Sequence, residues 1–168
     1  MASATIIPVE EYLRLTDKPN REYRNGALFP KPMPTKLHSL FQYIVLALLR
    51  EQGAPAYPEL TLKMAENLCL VPDVCIAPSF AGRYPTEAIP MCCEILSPDD
   101  RLGATLAKCE EYHAWGVRDC WVIDPEKRSA WSYRAGQEPI HLAADGVLQS
   151  GDFTIPLQRL FAAVDREL

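Results

Sequence analysis

Glu22, Glu59, Asp73, Glu94 and Lys108 are the residues of this chain whose types and settings could do chemistry. Asp73 stands inside Val71-Pro72-Asp73-Val74 and Glu94 inside Cys93-Glu94-Ile95-Leu96-Ser97-Pro98, two separate apolar runs. A carboxylate in either run is costly in a core unless a cation neutralises it. The two acids therefore point to a metal site. If their strands are neighbours, the carboxylates converge, and two or three oxygens plus waters suit Mg²⁺ or Mn²⁺. Such an ion would polarise a phosphoryl oxygen and lower the pKa of a bound water. A lysine beside that water would orient it and offset developing negative charge.

The elements that must position these residues are short and mixed. Pro8 suits the first turn of a helix through Val9, Tyr12, Leu13 and Leu15, closed by Thr16-Asp17-Lys18-Pro19. Asn25-Gly26 reads as the turn of a hairpin from Arg21 to Phe29, with Glu22 on or just before its first strand. From Leu37, apolar residues recur at helical spacing through Leu49 until Gly53, with His38 in the first turn. Strands are expected over Leu60 to Met64, Leu68 to Ala77 and Met91 to Leu96, with Glu66-Asn67 turning between the first two. Ser97 and the aspartates after Pro98 can cap a helix running from about Leu102 to Trp115, which Gly116 stops. Asp119 to Asp124 and Ser129 to Tyr133 follow as a hairpin, then strands near Ile140 and Leu148 and a helical turn over Leu157 to Val164. This order describes an α/β chain with a mixed sheet flanked by helices. The strand of Glu94, the next helix and the strand of Trp121 form a βαβ unit, so those two strands should be parallel.

Composition narrows the class. A chain of 168 residues, 48% hydrophobic and 23% charged, fits one globular domain over 1–168. Its longest apolar stretch, Tyr43 to Leu49, is too short to cross a bilayer, and its start lacks a basic region before a long apolar core. No membrane association is expected, and a cytoplasmic location is. The six cysteines show neither a CxxC pair nor regular spacing and read as reduced buried thiols; Cys109 with His113 is the only weak zinc candidate. The net charge of −5 argues against a large nucleic-acid surface. Locally, however, Arg14, Lys18, Arg21, Arg24, Lys31 and Lys36 outnumber Asp17 and Glu22. A basic strip beside an acidic centre is what a phosphodiester substrate would need.

Taken together, several stretches resemble the Uma2 (DUF820) family, a bacterial branch of the PD-(D/E)xK restriction-endonuclease-like superfamily. They are Val9 to Leu13, Glu22 with Gly26, His38, Val71-Pro72-Asp73-Val74, Glu94 to Pro98, Lys108 through Tyr112, Gly116-Val117 and Trp121 to Pro125. The resemblance implies a restriction-endonuclease-like core with flanking helices and extra β-hairpins. It implies an endonuclease in which Asp73 and Glu94 bind the divalent ion and Glu22 takes the superfamily's early acidic position. The superfamily's lysine normally stands two residues after the second acid, where this chain has Leu96. In Uma2-like chains a lysine on the following helix takes over, and Lys108 occupies that position. Glu59 either adds an oxygen to the metal or caps a loop. His38, Tyr112, Arg24 and Lys36 are the candidates for substrate contact. DNA is the expected substrate, and a homodimer is expected because duplex-cutting nucleases often pair their sites. A second reading is a catalytically quiet nucleic-acid-binding or interaction module, supported by the acidic balance, Leu96 and Ala104.

Overall fold

A computed structural model describes residues 5–17 and 20–168. Lys18 and Pro19 lie outside the described residues, as do residues 1–4; the first helix ends at Tyr12, earlier than the expected span through Leu15. The order is α1 (Val9–Tyr12), β1 (Arg21–Arg24), β2 (Ala27–Pro30), α2 (Lys36–Glu51), β3 (Ala56–Pro58), β4 (Leu62–Ala65), β5 (Leu68–Leu70), β6 (Val74–Ile76), β7 (Met91–Ile95), α3 (Leu102–Trp115), β8 (Asp119–Asp124), β9 (Ser129–Arg134), β10 (Ile140–Leu142), β11 (Val147–Ser150), β12 (Phe153–Pro156) and α4 (Leu157–Asp165).

Six strands form the central sheet in the order β10-β9-β8-β7-β6-β3. Within it β7 and β8 run parallel, with Glu94 opposite Val122, as a βαβ unit through α3 requires. The other neighbours are antiparallel. A second sheet, β2-β1-β5-β4, is antiparallel throughout, and β11 pairs with β12.

Alternation along β7 sorts its side chains onto two layers. Met91, Cys93 and Ile95 join Phe41, Val45 and Leu49 of α2 and Leu160 of α4 in one core. Cys92 faces the other way and packs with Cys109 and Tyr112 of α3 and with Leu62 and Leu70 of the second sheet. Glu94 shares that second face by its spacing, so it is turned toward α3.

One predicted strand is in fact two. Leu68 to Ala77 reads as continuous, but β5 ends at Leu70 in the second sheet and β6 begins at Val74 in the central one. Pro72 has no N–H to continue a ladder, and the Val71 N–H turns to the Glu22 carboxylate at 2.9 Å instead. Asp73 therefore sits at the seam between two sheets. The short strand β3, absent from the sequence reading, pairs with β6.

The turn and helix ends follow residue chemistry. Asn25 and Gly26 take positive φ of 50° and 86° between β1 and β2. Thr35 caps α2 by accepting from the His38 N–H at 3.1 Å. Ser97 does not cap α3, contrary to expectation: the residue before the helix is Arg101, without a side-chain cap, and the Ser97 N–H donates to Asp100 Oδ2 at 2.7 Å. The loop closes on itself before the helix begins. All six cysteines are free and buried. Burial pushes the Cys69 thiol up to about 11 and the Cys75 thiol to about 12, so both stay protonated. His113, the partner of Cys109 in the zinc alternative, is instead engaged through Nε2 with the Tyr133 carbonyl at 3.0 Å.

Candidate active site

The antiparallel register that sets Val74 opposite Cys93 would, one step on, set Asp73 opposite Glu94. The ladder stops there, and Asp73 Oδ2 accepts the Ile95 N–H at 2.7 Å in place of a backbone bond. Both acids are buried, at 3% and 7% exposure, and both line one open cleft of about 220 Å³. Glu22, Lys31, His38, Glu59, Arg101 and Lys108 line it too.

Helix α3 brings the lysine. Lys108 and Tyr112 are one turn apart on the same face, and both reach Glu94. The Lys108 ammonium lies 2.8 Å from Glu94 Oε1 and 2.5 Å from Glu22 Oε1. The Tyr112 hydroxyl donates to Glu94 Oε1 at 2.7 Å. Three elements, β1, β7 and α3, thus meet at a single ammonium. On the other side, Lys31 Nζ lies 2.8 Å from Asp73 Oδ1 and donates to the Val71 carbonyl at 2.7 Å. His38 Nε2 stands 3.4 Å from Asp73 Oδ2, while its Nδ1 is buried with no hydrogen-bond partner among the described residues.

Charge explains the protonation pattern. Burial would raise the Asp73 carboxyl, but Lys31 and His38 hold it well below the usual carboxylate range. Burial would likewise discharge Lys108, yet Glu94 and Glu22 hold its pKa above the ordinary value. Lys31 is kept charged in the same way by Asp73 and Glu94. His38 is raised because its bond to Asp73 outweighs burial. Glu94 moves the opposite way to Asp73: burial raises it, Asp73 adds to the rise, and Lys108 only partly offsets both. A cation bound at Glu94 would favour its charged form and so offset the burial that raises it. Clusters of this kind are candidates for function because an apolar replacement is often equally or more stable.

The donors fit a hard divalent ion. Asp73 and Glu94 offer carboxylate oxygens, and Mg²⁺ is ordinarily held by one or two such groups plus waters. Among the described residues no three His, Cys, Asp or Glu side chains form a ready cage. Glu59 lines the cleft from its rim: it is exposed, takes a positive φ of 47°, and its backbone N–H donates to the Asp73 carbonyl at 3.2 Å.

The substrate-contact candidates are dispersed. Arg24 pairs with Glu111 of α3, Lys36 is exposed at the start of α2, and neither lines the cleft. Tyr112 is fully buried, so its hydroxyl reaches Glu94 and not a ligand in the cleft. Within the basic strip, Arg21 pairs with Asp17, Arg24 with Glu111 and Lys31 with Asp73, and Lys18 lies outside the described residues. Lys31 and Arg101 were missed as site residues. Lys31 carried only the signal of a charge in a Pro-rich stretch, and Arg101 only that of a polar residue before a helix.

A family model, "Uma2: Putative restriction endonuclease", matches residues 9–163. The chain belongs to the Uma2 family. The Uma2 site described above thus sits in a restriction-endonuclease-like protein, of a kind that generally uses divalent metals. A crystal structure from Anabaena variabilis ATCC 29413, described as "a putative nuclease belonging to DUF820", has the same fold. Its TM-score is 0.80 at 24% identity, over 94% of this chain and 99% of that one. No curated protein matches the chain. Among the described residues, no helix is long and apolar enough to cross a membrane.

Proposed function

We propose that this Uma2 chain is a divalent-metal-dependent endonuclease hydrolysing phosphodiester bonds in DNA. Asp73 and Glu94 hold Mg²⁺ or Mn²⁺, and Lys108, held by Glu22, is the cation beside them. The observation that carries the reading is the buried bridge of Lys108 between Glu22 and Glu94, next to Asp73 in one open cleft. A charge cluster with no apolar equivalent in function is the reason to keep it where packing alone would not.

When bound, the ion would polarise the scissile phosphoryl oxygen and acidify a bound water. The chain's own residues do the remaining work. Lys108 offsets negative charge developing on the phosphoryl group. Tyr112 fixes the Glu94 carboxylate, His38 steadies Asp73, and Arg101 at the cleft mouth contacts the DNA backbone. Glu59 at the rim supplies an oxygen to the hydrated ion. The same reading includes a cytoplasmic location and a homodimer that presents two clefts to the two strands of a duplex.

Plasmid nicking by EDTA-stripped protein resupplied with Mg²⁺ or Mn²⁺ tests the reading. Wild type should nick in the presence of metal, and Asp73→Asn and Lys108→Met, checked for native circular dichroism, should each lose at least about a hundredfold in rate. Folded variants that cut at the wild-type rate, or a wild type inert with both metals, would sink it.

A further inference from the structure

Lys31 has no part in the reaction proposed above, yet its ammonium is in direct contact with Asp73. It lies 2.8 Å from Oδ1 and 2.7 Å from the Val71 carbonyl, with its side chain 11% exposed. Oδ2 of the same carboxylate already accepts the Ile95 N–H at 2.7 Å and faces His38 Nε2 at 3.4 Å. Oδ1 is therefore the oxygen left to take a further cation, and an ammonium is already on it. Two cations on one oxygen repel at a separation of a few ångströms, in a setting that water screens poorly.

The chain around Lys31 lets it leave. It stands in the connection between β2 and α2, outside any helix or strand, with Pro30, Pro32 and Pro34 about it. Pro30, Lys31, Pro32 and Pro34 all line the cleft. A lysine is a point charge on a flexible four-carbon stem, so its head can withdraw from Oδ1 into the open cleft without breaking a ladder or a helix. By contrast, Lys108 is anchored in α3 by two carboxylates.

We propose that Lys31 is a built-in counter-ion that competes with the divalent ion for Asp73. It balances the carboxylate while no metal is bound, and its departure from Oδ1 accompanies metal entry. The inference rests on the reading of Asp73 as a metal ligand.

Calorimetric titration of Mn²⁺ into the EDTA-stripped full chain tests it without any turnover. Lys31→Met should bind Mn²⁺ about tenfold more tightly than wild type, because the competing charge is gone, while Lys31→Arg stays within about threefold. Asp73→Asn should abolish binding in either background. Equal or weaker Mn²⁺ binding by Lys31→Met, with binding in wild type still dependent on Asp73, would overturn the counter-ion role alone. Binding that is absent from wild type and Lys31→Met, or indifferent to Asp73→Asn, would overturn the metal reading and this inference with it. If Lys31→Met does not fold, Lys31→Gln carries the same comparison.

Discussion

Tyr112 shows how much of the site is held by groups that no substrate touches. Its ring is fully buried and its hydroxyl donates to Glu94 Oε1, the same oxygen that faces Lys108. Burial and the neighbouring Glu94 raise its pKa, so it remains a donor throughout the ordinary pH range. Tyr112→Phe should cost about 2 kcal/mol in urea unfolding, the usual size of a hydrogen bond to a charged group. It should lower kcat for DNA cleavage and leave KM unchanged, since the hydroxyl is remote from the cleft opening. Wild-type stability in the variant would show that the bond contributes nothing. The sequence places Tyr112 one turn after Lys108, so its sharing of a face was legible; its role as a holder of Glu94 was not, because burial cannot be read from spacing. Lys31 was illegible for a different reason. Its partner is Asp73, far along the chain, and a Pro-rich connection has no periodicity from which the meeting could be inferred.

At the scale of elements, the strongly periodic segments matched their predictions and the seams did not. Helix α2 has apolar residues at helical spacing, α3 has a glycine stop, and both fall within a residue or two of expectation. The run Leu68 to Ala77 split because a strand pattern says nothing about which sheet each half joins, and Pro72 forces the change. That split shapes the cleft, since it sets Asp73 just before β6 where its carboxylate meets β7. Helix α3 depends on its own terminus to keep Lys108 in register. Gly116 takes φ 118°, and its N–H meets the Tyr112 and His113 carbonyls at 3.1 and 3.0 Å. A Cβ there would approach the Ala88 Cβ at 2.9 Å. Gly116→Ala should therefore destabilise the protein by about 2 kcal/mol in urea unfolding, through both the strained φ and the contact. Unchanged stability would mean that the terminus relaxes without cost.

Across the whole molecule, two apolar layers clasp the central sheet and leave the charged cluster at one edge of the inter-sheet seam. One layer joins α2 and α4 to the sheet, the other joins α3 and the second sheet to it. The fold class and the resemblance to Uma2 were legible because both rest on element order and on motifs spread over most of the chain. The side on which each acid faces was not, because it depends on register between strands distant in sequence. The net charge of −5 says little about the cleft, where Lys31 lies against Asp73 and Lys108 is shared between Glu22 and Glu94. What remains central is whether that cleft takes a dication. Anomalous diffraction from Mn²⁺-soaked crystals of the wild-type chain tests this most directly. The expected result is a peak bonded to both the Asp73 and Glu94 carboxylates, with the Lys31 ammonium withdrawn from Oδ1. A map with no peak there, and Lys31 still seated on Asp73 at saturating Mn²⁺, would contradict it.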